Sequence, residues 1–167
     1  MPSKFQNSVP DPRKNLEKIA ITPKYSLGES GVNFREILNV SPRFAFDYLS
    51  LEESHLCVNN TRLSKKDLIG FIEGLKKVSE ISYKTLKHNS SWRFHRIDLT
   101  DSKVSLNQND FLLALAPSGR GISTDELPSL YQFTIRYDAK ARVVGFLYIG
   151  VFYVIWYDRN HLIYPKK

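Results

Sequence analysis

The chain contains two short segments in which a histidine and an aspartate stand three residues apart with an arginine between them. They are HRID at 95–98 and DRNH at 158–161. Positions three apart on a strand face opposite sides, so His95 and Asp98 can share a pocket only if the strand bends. A turn at the end of a strand could instead bring Asp158 and His161 together. These side chains could bind a divalent metal ion, but a turn capped by Asp158 with a solvated His161 fits the sequence equally well.

Arginines recur in the segments that are predicted to form a sheet. Arg93 would share a face with His95, while Arg136 and Arg142 flank the first C-terminal turn. Because the neighbouring residues are apolar, these charges must reach a sheet edge or an anionic ligand. Beside His and Tyr they suit a phosphodiester, since arginine stabilises the charge of the phosphorane while His or Tyr moves protons. The alternative is that they keep exposed strand edges soluble.

The clearest helix begins after Ser64, whose side chain can cap the amide of Asp67. The apolar residues that follow recur at helical spacing, and they are Leu68, Phe71, Ile72, Leu75 and Val78. Gly70 and Gly74, four residues apart, would let another element approach closely. A second, shorter helix is predicted over about 81–87.

Strands are predicted on both sides of this helix pair, at 44–51, 55–58, 92–99, 130–137, 142–149 and 151–157. A long loop precedes the last three strands, and Gly150 sits at the tight turn between the final two. The last strand is bulky on both faces, with Trp156 expected beside Phe152 and Val154, so it should be central and covered by helices on one side. These elements predict an α+β fold with an early helix pair packed on a mainly antiparallel C-terminal sheet.

Composition and charge limit the class of protein. Hydrophobic residues make up 42% of the 167, enough for one core, and 24 Lys and Arg against 17 Asp and Glu give a net charge of +7. A positive field of this size favours anionic partners such as nucleic acid. We predict a flexible basic arm at 1–31 and a single α+β domain at 32–167.

The remaining signals concern compartment and cofactors. Cys57 is the only cysteine, so an intramolecular disulfide is excluded and a reducing, cytoplasmic setting is expected. No segment reads as a signal peptide or membrane span, so no membrane partner is expected. Arg120 lies in a flexible basic loop at 118–121 that lacks the lysine of a phosphate-binding P-loop, and no dinucleotide fingerprint is present. We therefore expect no cofactor.

The segment ARVVGFLYIGVFYVIWYDRNHLIY at 141–164, together with the predicted order of elements, resembles the RelE/ParE superfamily of small basic bacterial toxins. RelE-type members cut mRNA on the ribosome, and ParE-type members act on gyrase. The pattern over about 40–164 also resembles a widespread, largely uncharacterised bacterial family with a similar Arg-hairpin-Trp-Asp-His-Tyr ending. The chain departs from the toxins in its length, in its large loop at 102–128, and in Trp156 and Asp158, which have no evident catalytic counterpart there.

The resemblance implies roles for individual residues. Arg142 would stabilise the scissile phosphate, His161 and Tyr164 would move protons, and His95 would line the same groove. The nucleic-acid-binding residues would be Arg93, Arg136, Arg159 and Arg120.

Three functions follow as hypotheses. The first is an RNA-interacting RelE-like protein, a metal-independent endoribonuclease toxin. Its partners would be RNA or the ribosome, together with an antitoxin or another protein. The second is a noncatalytic protein-interaction module of a bacterial or phage defence or plasmid-maintenance system. The third is a metal-dependent hydrolase that uses His95, Asp98, Asp158 and His161.

Overall fold

The computed structural model describes residues 37–51, 56–58, 61–116, 124, 127–135 and 140–164. The helices within these ranges are α1 (Lys65–Ser79), α2 (Tyr83–His88) and α3 (Gln108–Leu115), and a 3-10 turn at Ser90–Trp92 follows α2. The strands are β1 (Arg43–Ala45), β2 (His95–Arg96), β3 (Leu130–Thr134), β4 (Arg142–Tyr148) and β5 (Val151–Asp158). The predicted arm at 1–31, and both Arg120 and Arg136, lie outside the described residues.

The five strands form one mixed sheet in the order β1-β5-β4-β3-β2. The β5–β4, β4–β3 and β3–β2 pairs are antiparallel, whereas β1 pairs with β5 in parallel. The α+β class and the mainly antiparallel pairing are therefore confirmed. The sheet is not wholly C-terminal, because β1 precedes the helices in the chain and still forms one edge.

Several predicted strands are shorter in the structure. One is absent from the part of its range that the structure describes. Residues 56–58 lie in a turn, and within the segment predicted as a strand over 92–99 only β2 is a strand. On one side of β2, Arg93 adopts φ 49° after the 3-10 turn. On the other side, Asp98 accepts hydrogen bonds from the amide and hydroxyl of Thr100 at 2.9 and 2.7 Å. At both ends of β2, these local turns replace strand pairing.

Helix α3 lies in a segment that was predicted to be loop. Asn107 accepts from the amide of Asp110 at 3.0 Å, and Asp110 accepts from the amide of Asn107 at 2.8 Å. This reciprocal capping supplies partners for amides that the first helical turn leaves free. The motif is visible in the sequence, since Asn107 and Asp110 stand immediately before the apolar run FLLAL.

The capping of α1 is confirmed, because Ser64 Oγ accepts from the amide of Asp67 at 3.2 Å. Gly74 is buried against the residue that follows β3, and a Cβ atom there would overlap Ile135. The predicted close approach therefore occurs at Gly74. Two residues predicted to face the core do not, since Leu68 is 39% and Ile72 60% exposed.

Each face of the sheet carries its own core. One core packs α1 and α2 on the sheet and includes Phe71, Leu75, Val78, Tyr83, Phe133, Val143 and Phe152. The other packs α3 on the opposite face and includes Phe111, Leu115, Leu130, Val144, Phe146, Ile155 and Ile163. Strand β5 is central as predicted, but helices cover both of its faces.

A register shift in the β4–β5 pair changes the orientation of Trp156. Val144 pairs with Trp156 and Gly145 with Val154, so Ile155 is an additional residue on β5. Trp156 consequently packs with Ile155 in the α3 core, and the prediction that it shares a face with Phe152 and Val154 is wrong. A Cβ atom on Gly145 would overlap the carbonyl of Tyr153, so this irregular pairing requires glycine.

The turn between β4 and β5 is formed by Ile149 and Gly150, with φ 45° and 77°. Positive φ at both central residues is the geometry of a two-residue type I′ hairpin. The turn predicted at Gly150 is therefore confirmed. In the described part of the chain, no helix has the length and apolar character needed to cross a membrane.

Candidate functional site

The sheet face that packs on α3 changes from apolar to polar toward one end. Thr134 on β3, Arg142 on β4 and Asp158 on β5 are directly paired across the three strands. Gln132 lies two residues before Thr134 and therefore points to the same face. These four polar side chains are at most 3% exposed, so the strands hold a buried polar group beside an apolar core.

Asp158 fixes the C-terminal turn. Its Oδ1 accepts from the amide of Leu162 at 2.8 Å, and its Oδ2 accepts from the amide of Ile163 at 2.7 Å. The structural interpretation of Asp158 as a turn cap is therefore confirmed. Because Ile163 is fully buried in the α3 core, the turn that carries His161 and Tyr164 is attached firmly to the sheet.

Arg142 is a buried charge. Its Nη1 donates to Thr134 Oγ1 at 3.2 Å and to the carbonyls of Lys140 and Ala141 at 2.9 and 3.0 Å. Burial lowers the pKa of Arg142, as does the nearby charge of Arg93, while the charge of Asp158 raises it. At 3% exposure the guanidinium lies beneath the surface, so Arg142 can add positive potential but does not present its donors to solvent.

His95 lies next to this group on β2. It pairs with Gln132 across the β2–β3 ladder, and its Nε2 is 2.8 Å from Gln132 Nε2. With the Gln132 amide in this orientation its nitrogen donates, so His95 Nε2 is assigned as the acceptor and the ring proton is assigned to Nδ1. Desolvation lowers the pKa of His95; a hydrogen bond to the Arg93 backbone opposes this, and the charges of Arg142 and Arg93 add to the lowering. Together these effects favour the uncharged form of the imidazole.

Arg93 is the exposed cation of the site. Its left-handed backbone, φ 49°, ends the 3-10 turn, and its amide donates to the carbonyl of Ser90 at 3.2 Å. Non-glycine residues adopt this conformation uncommonly. The turn places the charge of Arg93 where it acts on both His95 and Arg142.

Tyr164 borders His95 from the C-terminal turn. The two ring centroids are 6.2 Å apart with the planes at 62°, an edge-to-face arrangement. Tyr164 Oη donates to Asp101 Oδ2 at 3.0 Å. This hydrogen bond and the negative charge of Asp101 raise the pKa of Tyr164, so the phenol keeps its proton at neutral pH.

The structure thus brings together four of the predicted site residues, namely Arg93, His95, Arg142 and Tyr164. His161 lies in the same C-terminal turn with φ 59°. Arg159 lies elsewhere, because its Nε donates to Asp67 at the N-terminus of α1. Its role in nucleic-acid binding stays a prediction.

Sequence reasoning missed Gln132, Thr134 and Asp101. Gln132 and Thr134 had a signal, since they are polar residues at alternate positions of an otherwise apolar strand. The partnership of Asp101 with Tyr164 spans 63 positions of sequence, and neither segment carries a motif that indicates it.

The four residues of the metal hypothesis are not gathered. Asp98 is engaged by Thr100 and Asp158 by the C-terminal turn. Among the described residues, no group of three or more His, Cys, Asp or Glu side chains is placed to hold a metal ion.

Comparison with known proteins adds no assignment to this geometry. A scan against protein-family models found no match, and searches of the curated proteins and of the solved structures found none either. The site itself combines an uncharged imidazole, a phenol that keeps its proton, and two guanidinium groups. Such a set can bind an anion and exchange protons with it.

Proposed function

We propose that the protein binds RNA at the face formed by Arg93, His95 and Tyr164 and cleaves it as a metal-independent endoribonuclease. The observation that carries this proposal is the cluster around His95, whose ring lies 6.2 Å from that of Tyr164, with the exposed Arg93 two residues before it and the charge of the buried Arg142 nearby. A phosphodiester supplies the negative charge that this arrangement favours, and a neutral imidazole is the form that can accept a proton.

The proposed reaction uses the 2′-hydroxyl of RNA as nucleophile. His95 Nε2 exchanges its hydrogen bond with Gln132 for one with the hydroxyl and accepts its proton. The 2′-oxygen forms a bond to phosphorus, and the bond from phosphorus to the 5′-oxygen breaks. The leaving oxygen takes a proton from Tyr164 or from His161. Both are the proton-moving residues that the resemblance to RelE-type toxins implies. The products are a 2′,3′-cyclic phosphate and a 5′-hydroxyl.

The two arginines have different parts in this proposal. Arg93 is exposed and contacts the phosphate, whereas Arg142 is buried and stabilises its charge through the field alone. The resemblance implied that Arg142 stabilises the scissile phosphate, and in this proposal the direct contact with that phosphate comes from Arg93. The net charge of +7 would attract the RNA backbone over a longer range.

The wider biological proposal follows from the resemblance alone. The protein would be a RelE-like toxin that acts in the cytoplasm on free RNA or ribosome-bound mRNA, with an antitoxin as its protein partner.

A noncatalytic protein-interaction module is the second candidate. Three apolar side chains of α1 are exposed along one side of the helix, with Leu68 at 39%, Ile69 at 47% and Ile72 at 60%. Neighbouring exposed apolar residues of this kind often mark protein contacts. This candidate predicts that the protein leaves RNA intact and that a charge at Ile72 abolishes partner binding.

Cleavage of a labelled single-stranded RNA in the presence of a chelator tests the leading proposal. We expect cleavage by the wild type, a loss of about 10²- to 10⁴-fold in His95→Ala, and no cleavage where the nucleotide lacks its 2′-hydroxyl. His88→Ala, which removes an exposed histidine at the end of α2, is the matched control and should retain full activity. Tyr164→Phe and His161→Ala identify the proton donor.

Two results would contradict the catalytic proposal. One is the absence of cleavage by the wild type on both free RNA and translating ribosomes. The other is equal cleavage by the wild type and His95→Ala.

A further inference from the structure

Gln132 is a polar side chain at an interior position of β3. It is 1% exposed, and its Oε1 is buried without a hydrogen-bond partner among the described residues. A buried carbonyl oxygen that accepts no hydrogen bond is costly to folding. An apolar residue of similar size would avoid that cost. The presence of an amide at this position therefore calls for an explanation beyond the contacts of the resting protein.

The only hydrogen bond shown for the Gln132 side chain among these residues is to His95. Its Nε2 is 2.8 Å from the Nε2 of the imidazole. Because the other ring nitrogen is directed to the backbone of Arg93, a neutral ring offers Gln132 a lone pair and not a proton. The amide nitrogen must then face the ring, and the amide oxygen faces away.

The same amide has a second orientation. If it turned by about 180° about its last bond, Oε1 would face His95 Nε2 and could accept a proton from it. While Nδ1 keeps its hydrogen bond to the Arg93 backbone, that arrangement needs a protonated ring with a hydrogen on each nitrogen, and a neutral ring could meet it only by giving up that bond. The oxygen that lacks a partner beside the neutral ring is thus the atom that a protonated ring requires.

We propose that Gln132 is a positioning residue for His95, which holds the neutral ring in its Nδ1–H tautomer through Nε2 and stabilises the protonated ring through Oε1. This inference rests on the proposed function for its catalytic consequence, because a general base must become protonated during the reaction. In the resting protein, Gln132 covers the lone pair that the 2′-hydroxyl would need. On proton transfer, the amide turns and holds the imidazolium.

Other charged and titratable groups also face His95. Arg93 precedes it on its own segment, Arg142 approaches from β4, and both disfavour a charged ring. Tyr164 lies against it from the C-terminal turn, with Asp101 behind the phenol. Gln132 is the neighbour that can serve both protonation states by rotation of its own amide.

Nitrogen-15 NMR of the imidazole in the full-length protein, followed over a pH titration, tests the inference without RNA. In the wild type we expect Nε2 to be the unprotonated nitrogen of the neutral ring. In Gln132→Leu we expect a mixture of tautomers and a lower titration midpoint. In Gln132→Glu, the carboxylate should raise the midpoint by about one to three pH units, as an opposite charge at hydrogen-bonding distance does.

Matched variants control for packing. Leu130→Val changes a buried apolar residue on the same face of β3 and should leave the His95 tautomer unchanged. Gln132→Asn, which withdraws the amide by one methylene, should behave as Gln132→Leu does and provides the test if the leucine variant does not fold. The inference is overturned if the folded variants retain the wild-type tautomer, or if Gln132→Glu leaves the midpoint unchanged.

The two proposals fail in different ways. A fixed Nδ1–H tautomer that depends on Gln132, in a protein that never cleaves RNA, would overturn the proposed function and support the positioning role. Cleavage whose pH profile is the same in the wild type and Gln132→Glu would overturn the positioning role and support the proposed function.

Discussion

At the scale of single residues, the site depends on a buried arginine that keeps its charge. Arg142 has three acceptors for Nη1 and the charge of Asp158 nearby, and a guanidinium remains protonated under nearly all conditions. Desolvation is the main cause of the lowered pKa of His95, and the charge of Arg142 adds to it. A residue that does not touch the ligand can therefore still contribute to the pKa of one that does.

Asp67 makes a second, separate electrostatic contribution, at the N-terminus of α1. Hydrogen bonds from Ser64 and then Arg159 lower the pKa of Asp67 from 3.8 to about 2. A carboxyl whose pKa is lower in the folded protein stabilises it above the unfolded value and loses that effect as the pH falls through the folded value. We therefore expect the free energy of unfolding to decrease between about pH 4 and pH 2, and this decrease to be smaller in Asp67→Asn.

Urea unfolding at a series of pH values measures this contribution. Asp47→Asn, which changes an exposed aspartate, is the control and should keep the wild-type slope. Equal slopes for the wild type and Asp67→Asn would show that the Ser64 and Arg159 contacts do not stabilise the carboxylate.

The residues that could be predicted from sequence are those whose partners are local. The Ser64 cap was predictable because its acceptor and donor are three positions apart. The contacts of His95 with Gln132 and of Asp101 with Tyr164 span 37 and 63 positions, and they depend on the strand order. Asp98 is held by Thr100 in a local turn, and no periodicity predicts that turn.

At the scale of elements, α1 approaches the sheet at a glycine. Gly74 is buried, and a side chain there would overlap the Cβ and backbone of Ile135. Alanine normally favours a helix over glycine by about 1 kcal/mol. At this position the overlap opposes that preference, because neither the strand backbone nor Cβ can rotate away.

We expect Gly74→Ala to destabilise the protein by about 1–3 kcal/mol, as overpacking does. Glu73→Ala, at the adjacent exposed position, should change stability by less than about 0.5 kcal/mol. Chemical denaturation of both variants is the measurement. A gain in stability for Gly74→Ala would mean that α1 and β3 are not in close contact.

The register shift in the β4–β5 pair assigns Trp156 to the α3 core, 6.2 Å from the ring of Phe111. Trp156 is 6% exposed, so truncation should leave a cavity between α3 and β5. We expect Trp156→Ala to lower the free energy of unfolding by about 3–5 kcal/mol. Leu113→Ala, at a residue of α3 that is 72% exposed, should change stability little. Similar losses in the two variants would contradict the placement of α3 on this face.

The elements were predictable where one pattern extends over many residues, as in α1, β4 and β5. The shift at Gly145 was not, because a single additional residue reverses which face the following side chains occupy. Helix α3 was missed although Asn107 and Asp110 form a capping pair, since its apolar run is only five residues long.

At the scale of the whole molecule, the positive charge and the polar end of the sheet support the same proposal. The chain carries +7, and its exposed Arg93 stands beside the neutral His95. An RNA backbone bound at this face would release counterions in proportion to the phosphates contacted, so binding should weaken as salt increases. Arg93 and Arg96 permit a direct comparison, because both are exposed while Arg96 points to the opposite face of β2 from His95.

The affinity for a single-stranded RNA, measured over a series of salt concentrations, tests most directly the claim that this face binds RNA. For the wild type we predict a steep decrease of the logarithm of affinity with the logarithm of salt concentration. Arg93→Gln should weaken binding and reduce the slope by about 0.7, the value for one lost phosphate contact on a single strand, while Arg96→Gln should have a clearly smaller effect on both. Equal effects of the two substitutions, or no salt-dependent binding by the wild type, would contradict the account.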